Sequence, residues 1–250
     1  MNNSITYLLL IVIVIIAIII YGYHSGSCKI QKKYKCSNQF CLYKEFTLML
    51  PKNVKKDIHK MLKNKAIQNR VSIQTYPETL FNCALPNKSG VTISCQNIVR
   101  YAPYLIHYYK TELCQFVSNQ IGLSLVPTDL FLPTSCAILI YEKEGDWINW
   151  HYDYNYYDGR FFTVLIPITN DLTCTEFQLK DDKNNIKSVK LMDNNAVCFE
   201  GNYLYHRASK LCKNQKRVIL SCQFVTKNTM TFMNKLRIKL KDFAYTGKVF

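Results

Sequence analysis

The chain opens on an unbroken apolar run, Ile5 to Tyr23 (ITYLLLIVIVIIAIIIYGY), with no charged residue and no polar face. A helix packed on a soluble core keeps such a face. At about 1.5 Å of rise per residue the run spans about 28 Å, the thickness of a bilayer core. Tyr7, Tyr21 and Tyr23 stand near its ends, where amphipathic rings favour the membrane interface. The preceding MNNS has no Lys or Arg, and no small-x-small cleavage site follows, which argues against a cleaved signal peptide. Residues 1–24 are therefore read as a retained single-pass transmembrane helix, with residues 5–23 in the membrane.

Beyond it the pattern changes twice. Residues 25–50 carry Lys29, Lys32, Lys33 and Lys35 and read as a basic juxtamembrane stalk. Residues 51–250 read as one domain with a core over about 95–227. KNVKKDIHKMLKNKAI predicts a short, highly charged helix, and residues 70–95 read as irregular, broken by Pro77 and Pro86. QNIVRYAPYLIHYYKTELCQFVSNQIG has apolar residues at helical spacing and ends on Gly122 as a stop. From about 135 the texture turns to short β-branched and aromatic runs: CAILIYEKEG, RFFTVLIPI, TEFQLK, NAVCFEG and RVILSCQFV. That spacing predicts an antiparallel β sandwich or barrel. Helices followed by strands make the domain α+β, with the helices backing the sheet.

The 48% hydrophobic and 13% aromatic content excludes disorder of the whole chain, and 8 Gly and 7 Pro exclude collagen-like or low-complexity classes. The net charge of +15 suits a Lys-rich surface or an acidic membrane face. No basic block interleaved with aromatics marks a specific nucleic-acid motif. Lysines just past the apolar run place the domain in the cytosol by the positive-inside rule. Cys28, Cys36 and Cys41, beside the membrane, suit an oxidising lumen instead, so the side stays open. Eleven cysteines with no C-x-x-C give neither a zinc site nor a clean disulfide framework, and those in AVCF and ILSCQF read as buried thiols.

The candidate chemistry begins at NWHYDYN, where His151 and Asp153 stand two apart. On a strand, residues i and i+2 share a face, so both side chains converge on one ion. A third ligand is wanted. His24 lies at the membrane and His59 and His107 in predicted helices, which leaves His206, following a strand in NYLYHRAS. Two imidazoles and a carboxylate suit Fe(II) with open positions, and zinc accepts the same donors. Arg217 opens the apolar strand RVILSCQFV, and a hairpin return would lay it antiparallel to the His206 strand. A buried arginine wants an anion, and its fork suits the far carboxylate of a dicarboxylate that chelates the metal.

With these residues in this order the sequence resembles the Fe(II)- and 2-oxoglutarate-dependent oxygenase superfamily, and within it the prolyl 4-hydroxylase-like branch. ILIYEKEGDWINWHYD resembles that branch's run into His-x-Asp, and DGRFFTVLIPITND its Gly-Arg-anchored strand. TEFQLK looks like a degenerate Gly-Gly-Glu-Leu turn, with Cys174 and Thr175 in place of the glycines. DNNAVCFEGNYLYHRAS resembles the strand leading to the distal histidine. The resemblance covers about residues 95–227. It implies a double-stranded β-helix (jelly roll) backed by helices, with His151, Asp153 and His206 as catalytic metal ligands for Fe(II). It further implies Arg217 on the 2-oxoglutarate cosubstrate, with Tyr141, Thr163 and Ser221 as further contacts. Pro167 departs from the family's cosubstrate pocket. Ascorbate is a candidate reductant, and O2 the co-reactant. The implied activity is hydroxylation of a substrate C–H, a protein or peptide side chain such as proline leading. A nucleobase or lipid substrate, or a non-catalytic jelly-roll module, are the alternatives. Trp147 and Trp150 stay open between packing and a substrate groove.

Overall fold

The computed structural model describes residues 3–25, 43–74, 86–171, 174–180, 185–236 and 238; the side chains of residues 3–4, 17–25 and 170–171 are not described. The chain divides into two compact units, Met1–Tyr34 and Lys35–Phe250. In the first, α1 (Asn3–Ser25) covers the apolar run, and its described side chains from Ile5 to Ile16 are all exposed. Among the described residues, no helix is long and apolar enough to cross a membrane. Lys29, Lys32, Lys33, Lys35, Cys28, Cys36, Cys41 and Pro77 lie outside the described residues, as does the His24 side chain.

The second unit begins with β1 (Tyr43–Thr47), α2 (Lys52–Lys63), β2 (Asn69–Ile73) and β3 (Lys88–Ile93). Then come α3 (Cys95–Tyr101), α4 (Pro103–Tyr108) and, through a π-helical turn at Tyr109–Leu113, α5 (Cys114–Ile121). The remaining strands are β4 (Val126–Pro127), β5 (Cys136–Tyr141), β6 (Trp147–His151), β7 (Phe161–Asp171), β8 (Phe177–Lys180), β9 (Ile186–Val189), β10 (Asn195–Phe199), β11 (Tyr205–Ala208) and β12 (Lys216–Val225). The α+β expectation holds. The single long helix does not, because Pro103 has no N–H to continue a helix and restarts one as its first residue. Asp57, buried on α2, accepts the N–H groups of Tyr104 and Leu105 at 2.8 and 3.1 Å and so ties that new start to α2. Gly122 stops α5 in the left-handed region, at φ 71°, as the pattern predicts.

Two stretches read as irregular or as stalk are strands. Residues 69–73 and 88–93 form an antiparallel pair, and residues 43–47 pair along β10. Strands this short carry too little alternation to be told from loops. All strands join one antiparallel sheet in the order β1-β10-β7-β12-β5-β3-β6-β11-β8-β9, with β2 on β3 and β4 on β12. The sheet curls into a jelly roll. Strand alternation gives it two faces. Val218, Leu220, Cys222 and Phe224 of β12 join Ile138 and Ile140 of β5 in the core under α2–α5. The intervening Arg217, Ile219, Ser221 and Gln223 line a partly open cavity of about 410 Å³.

Cysteines 95, 114, 136, 198 and 222 are buried free thiols, as expected. Cys174 and Cys212 are not core residues. They form a disulfide between the β7–β8 link and the β11–β12 link. His59 and His107 are exposed and belong to no metal cluster of the described residues. Trp147 and Trp150 do not line the cavity. Trp150 stacks on Tyr205, with the Arg207 guanidinium 4.6 Å from its ring centre, so packing explains it.

Candidate active site

His151 closes β6, and His206 stands directly opposite it in β11. The antiparallel register itself sets the two buried imidazoles side by side, ring centres 4.2 Å apart. Each Nδ1 lies against a carbonyl two residues back, 2.7 Å from Asn149 O and 2.8 Å from Leu204 O. A carbonyl only accepts, so each Nδ1 carries a hydrogen and Nε2 is left as the ligand atom. Burial, then the neighbouring His206, push the His151 imidazole down to about 3, which keeps it uncharged and ready to ligate.

Asp153 joins them by a route other than a shared strand face. β6 ends at His151, and Asp153 lies in the loop beyond. Its N–H donates to the Gly201 carbonyl at 2.9 Å. Thr163 Oγ1 donates to Oδ2 at 2.6 Å. Oδ1 then faces Nε2 of His151 at 3.7 Å and of His206 at 3.8 Å. With His151 uncharged, its approach to Asp153 is a meeting of two donor atoms rather than an ion pair. All three ligand atoms lie within 4.8 Å of one another. Two imidazole nitrogens and one carboxylate oxygen fit a divalent first-row metal, with positions left for other ligands.

Arg217 shares the cavity with the triad, but along a different path from the hairpin expected. β12 pairs with β4, β5 and β7, and β11 with β6 and β8, so the two strands lie in opposite parts of the roll. Arg217 stands opposite Tyr141 in the ladder, its guanidinium carbon 5.3 Å from the Tyr141 ring centre. It is 3% exposed, and its Nε and Nη1 have no hydrogen-bond partner. Burial lowers the Arg217 pKa and raises that of the Tyr141 hydroxyl, each opposed by the other group. Buried guanidinium N–H groups without acceptors are costly, and in a cavity-lining residue they fit an anionic ligand group.

Thr163 and Ser221 also line the cavity, as does Tyr141. The Thr163 hydroxyl, however, donates to Asp153, so it holds that carboxylate rather than reaching for a cosubstrate. Pro167 does not line the cavity. Sequence reasoning missed Gly201. A Cβ there would stand 2.6 Å from the Asp153 Cβ, so only glycine lets the carboxylate lie against that turn. The signal was present in CFEGNY, one of only 8 glycines in the chain.

No known family profile matches the chain, and no curated protein is detectably similar. Solved structures are. AviO1 from Streptomyces viridochromogenes Tue57 superposes with a TM-score of 0.55 at 11% identity, over 77% of this chain and 94% of its own. A 2OG-Fe(II) oxygenase-family oxidoreductase from Burkholderia pseudomallei gives 0.52 at 13%, over 79% and 96%. The non-heme alpha-ketoglutarate-dependent carbocyclase SnoK from nogalamycin biosynthesis gives 0.53 at 11%, over 78% and 85%. The fold is thus a double-stranded β-helix of the kind found in 2-oxoglutarate-dependent Fe(II) oxygenases. The resemblance read from the sequence holds at the level of that superfamily's fold.

Proposed function

We propose that the protein is an Fe(II)- and 2-oxoglutarate-dependent oxygenase that hydroxylates a substrate C–H. The observation that carries this is the sharing of one cavity by a His-Asp-His donor cluster and a buried guanidinium with unpaired N–H groups. His151, Asp153 and His206 would hold the metal, and Arg217 the distal carboxylate of 2-oxoglutarate. The metal with its cosubstrate would supply the oxidising power for C–H hydroxylation, drawn from O2 and oxidative decarboxylation. The chain's own part is positional. The Asn149 and Leu204 carbonyls orient the imidazoles, Thr163 turns Asp153, and Tyr141 flanks Arg217. Leu139, Leu165, Phe199 and Ile219 give the space between them apolar walls, which would disfavour water beside a bound metal.

The leading substrate is a protein side chain such as proline, on the branch resemblance of the sequence. Residues 5–23 are proposed as a membrane anchor on the uncharged apolar run of the full sequence, part of whose side chains lie outside the described residues. The Cys174–Cys212 disulfide favours an oxidising, lumenal side for the domain. The test is succinate release from 2-oxoglutarate by the full chain in detergent, with and without added Fe(II). Metal-dependent release lost in Asp153→Ala and His206→Ala is expected. Release that ignores Fe(II), or survives either substitution, overturns the reading.

A further inference from the structure

Glu200 is fully buried, lies outside the donor cluster, and yet carries a carboxylate into the core. Arg160 meets it with a two-pronged contact, Nε to Oε1 at 2.7 Å and Nη2 to Oε2 at 2.8 Å. Both ends of this pair are fixed. Arg160 is tied by its main chain to Thr226, just past β12, through its N–H to Thr226 Oγ1 at 2.9 Å and the Thr226 N–H to its carbonyl at 3.1 Å. Glu200 begins a tight turn, its carbonyl accepting the N–H groups of Tyr203 and Leu204, both at 3.0 Å.

That turn touches two of the three metal ligands. Gly201, next to Glu200, accepts the Asp153 N–H and lies against its side chain. Leu204, closed onto Glu200, gives its carbonyl to Nδ1 of His206. A buried ion pair adds little net stability over an apolar pair of the same shape, because both charges are desolvated. What the fork supplies is direction: two parallel bonds fix distance and angle together. We propose that Arg160 and Glu200 are positioning residues for the metal centre. They set the height of the 200–204 turn and, through it, the placement of Asp153 and His206. The inference rests on the metal reading above.

Co(II) titration of the full chain, followed by visible absorption, tests it. Two variants are needed. Arg160→Lys keeps the charge but loses the fork. The double variant Arg160→Met/Glu200→Leu replaces the pair by apolar groups and should melt no lower than wild type. Both are expected to bind Co(II) about 10–100-fold more weakly, with shifted absorption bands. A purely structural role would restore binding in the double variant along with its stability. Co(II) affinity and spectrum equal to wild type in either variant overturn the proposal. Failure of both variants to fold also overturns it, by making the pair a folding element. If the wild type itself takes no Co(II), the metal reading fails and this inference falls with it.

Discussion

The Thr163 hydroxyl sits 2.6 Å from Oδ2 of Asp153, which leaves Oδ1 alone to face the two imidazoles. One hydroxyl thus decides which oxygen of the carboxylate is offered to a metal. Thr163→Val keeps the shape and removes the donor. We expect Co(II) affinity to fall about 10-fold or more with little change in melting temperature, and Thr163→Ser to recover most of it. Gly201→Ala should be harsher, since the new methyl displaces Asp153 itself. Titrations of Thr163→Val that superimpose on wild type would remove Thr163 from the site.

Arg217 carries an opposite expectation for stability and for binding. Without a ligand its buried Nε and Nη1 lack acceptors, so Arg217→Met should stabilise the ligand-free protein by about 1–2 kcal/mol. It should also abolish the rise in melting temperature that 2-oxoglutarate is expected to give the wild type. Thermal melts of both proteins, with and without 2-oxoglutarate, check this. A ligand-dependent rise that persists in Arg217→Met contradicts it.

Acid sensitivity should trace to Asp146, buried at the β5–β6 turn. Burial pushes its carboxyl up. The Arg70 fork at 2.9 and 3.3 Å, the Lys143 and Glu142 N–H groups and the Ser89 hydroxyl outweigh that and hold it below the ordinary aspartate value. The folded state therefore releases this proton more readily than the unfolded chain. Its contribution is complete above the unfolded value and is lost as pH falls through the folded one. Asp146→Asn should cost about 2 kcal/mol at neutral pH and flatten the decline in urea midpoint below about pH 4. Parallel pH profiles for variant and wild type would count against this assignment.

The Cys174–Cys212 bridge closes a loop of sequence separation 38, which by chain entropy is worth about 4 kcal/mol. Cys212 lies in the link between His206 and Arg217, so the same bridge restrains the segment joining a proposed metal ligand to the proposed cosubstrate anchor. Cys174→Ser/Cys212→Ser, or reduction, should lower the urea midpoint accordingly. The five buried thiols should resist alkylation in the folded state. Equal midpoints with and without reductant would argue that the bridge is absent in solution.

The donor cluster was legible because its residue types are rare: of 5 histidines, only His151 and His206 fell outside the predicted helices and the N-terminal apolar segment. The manner of their convergence was not. Alternation predicted a shared strand face for His151 and Asp153, whereas a cross-strand register pairs the histidines and a glycine turn delivers Asp153. Arg217 was legible as a charge at the head of an apolar strand, but its ladder partner Tyr141 depends on sheet order, which local periodicity does not encode. The same limit hid the Cys174–Cys212 pair and the Arg160–Glu200 clamp, both made by segments far apart in the chain. Strands β1, β2 and β3 went unread because a strand of five or six residues leaves too short a pattern.

β3 changes partners along its length, pairing with β6 at Lys88 and Ser89 and with β5 from Val91 to Ile93. Gly90 stands at the exchange, where a Cβ would press on the Ile140 carbonyl at 3.3 Å and on the Tyr141 ring. The strand bearing His151 and the strand bearing Tyr141 are thereby stitched to a single backbone. A clamshell opening of the cavity would have to tear that seam, hydrogen bond by hydrogen bond. Traffic in and out must instead use the rim, and amide exchange at Val91 and Thr92 should be among the slowest in the domain.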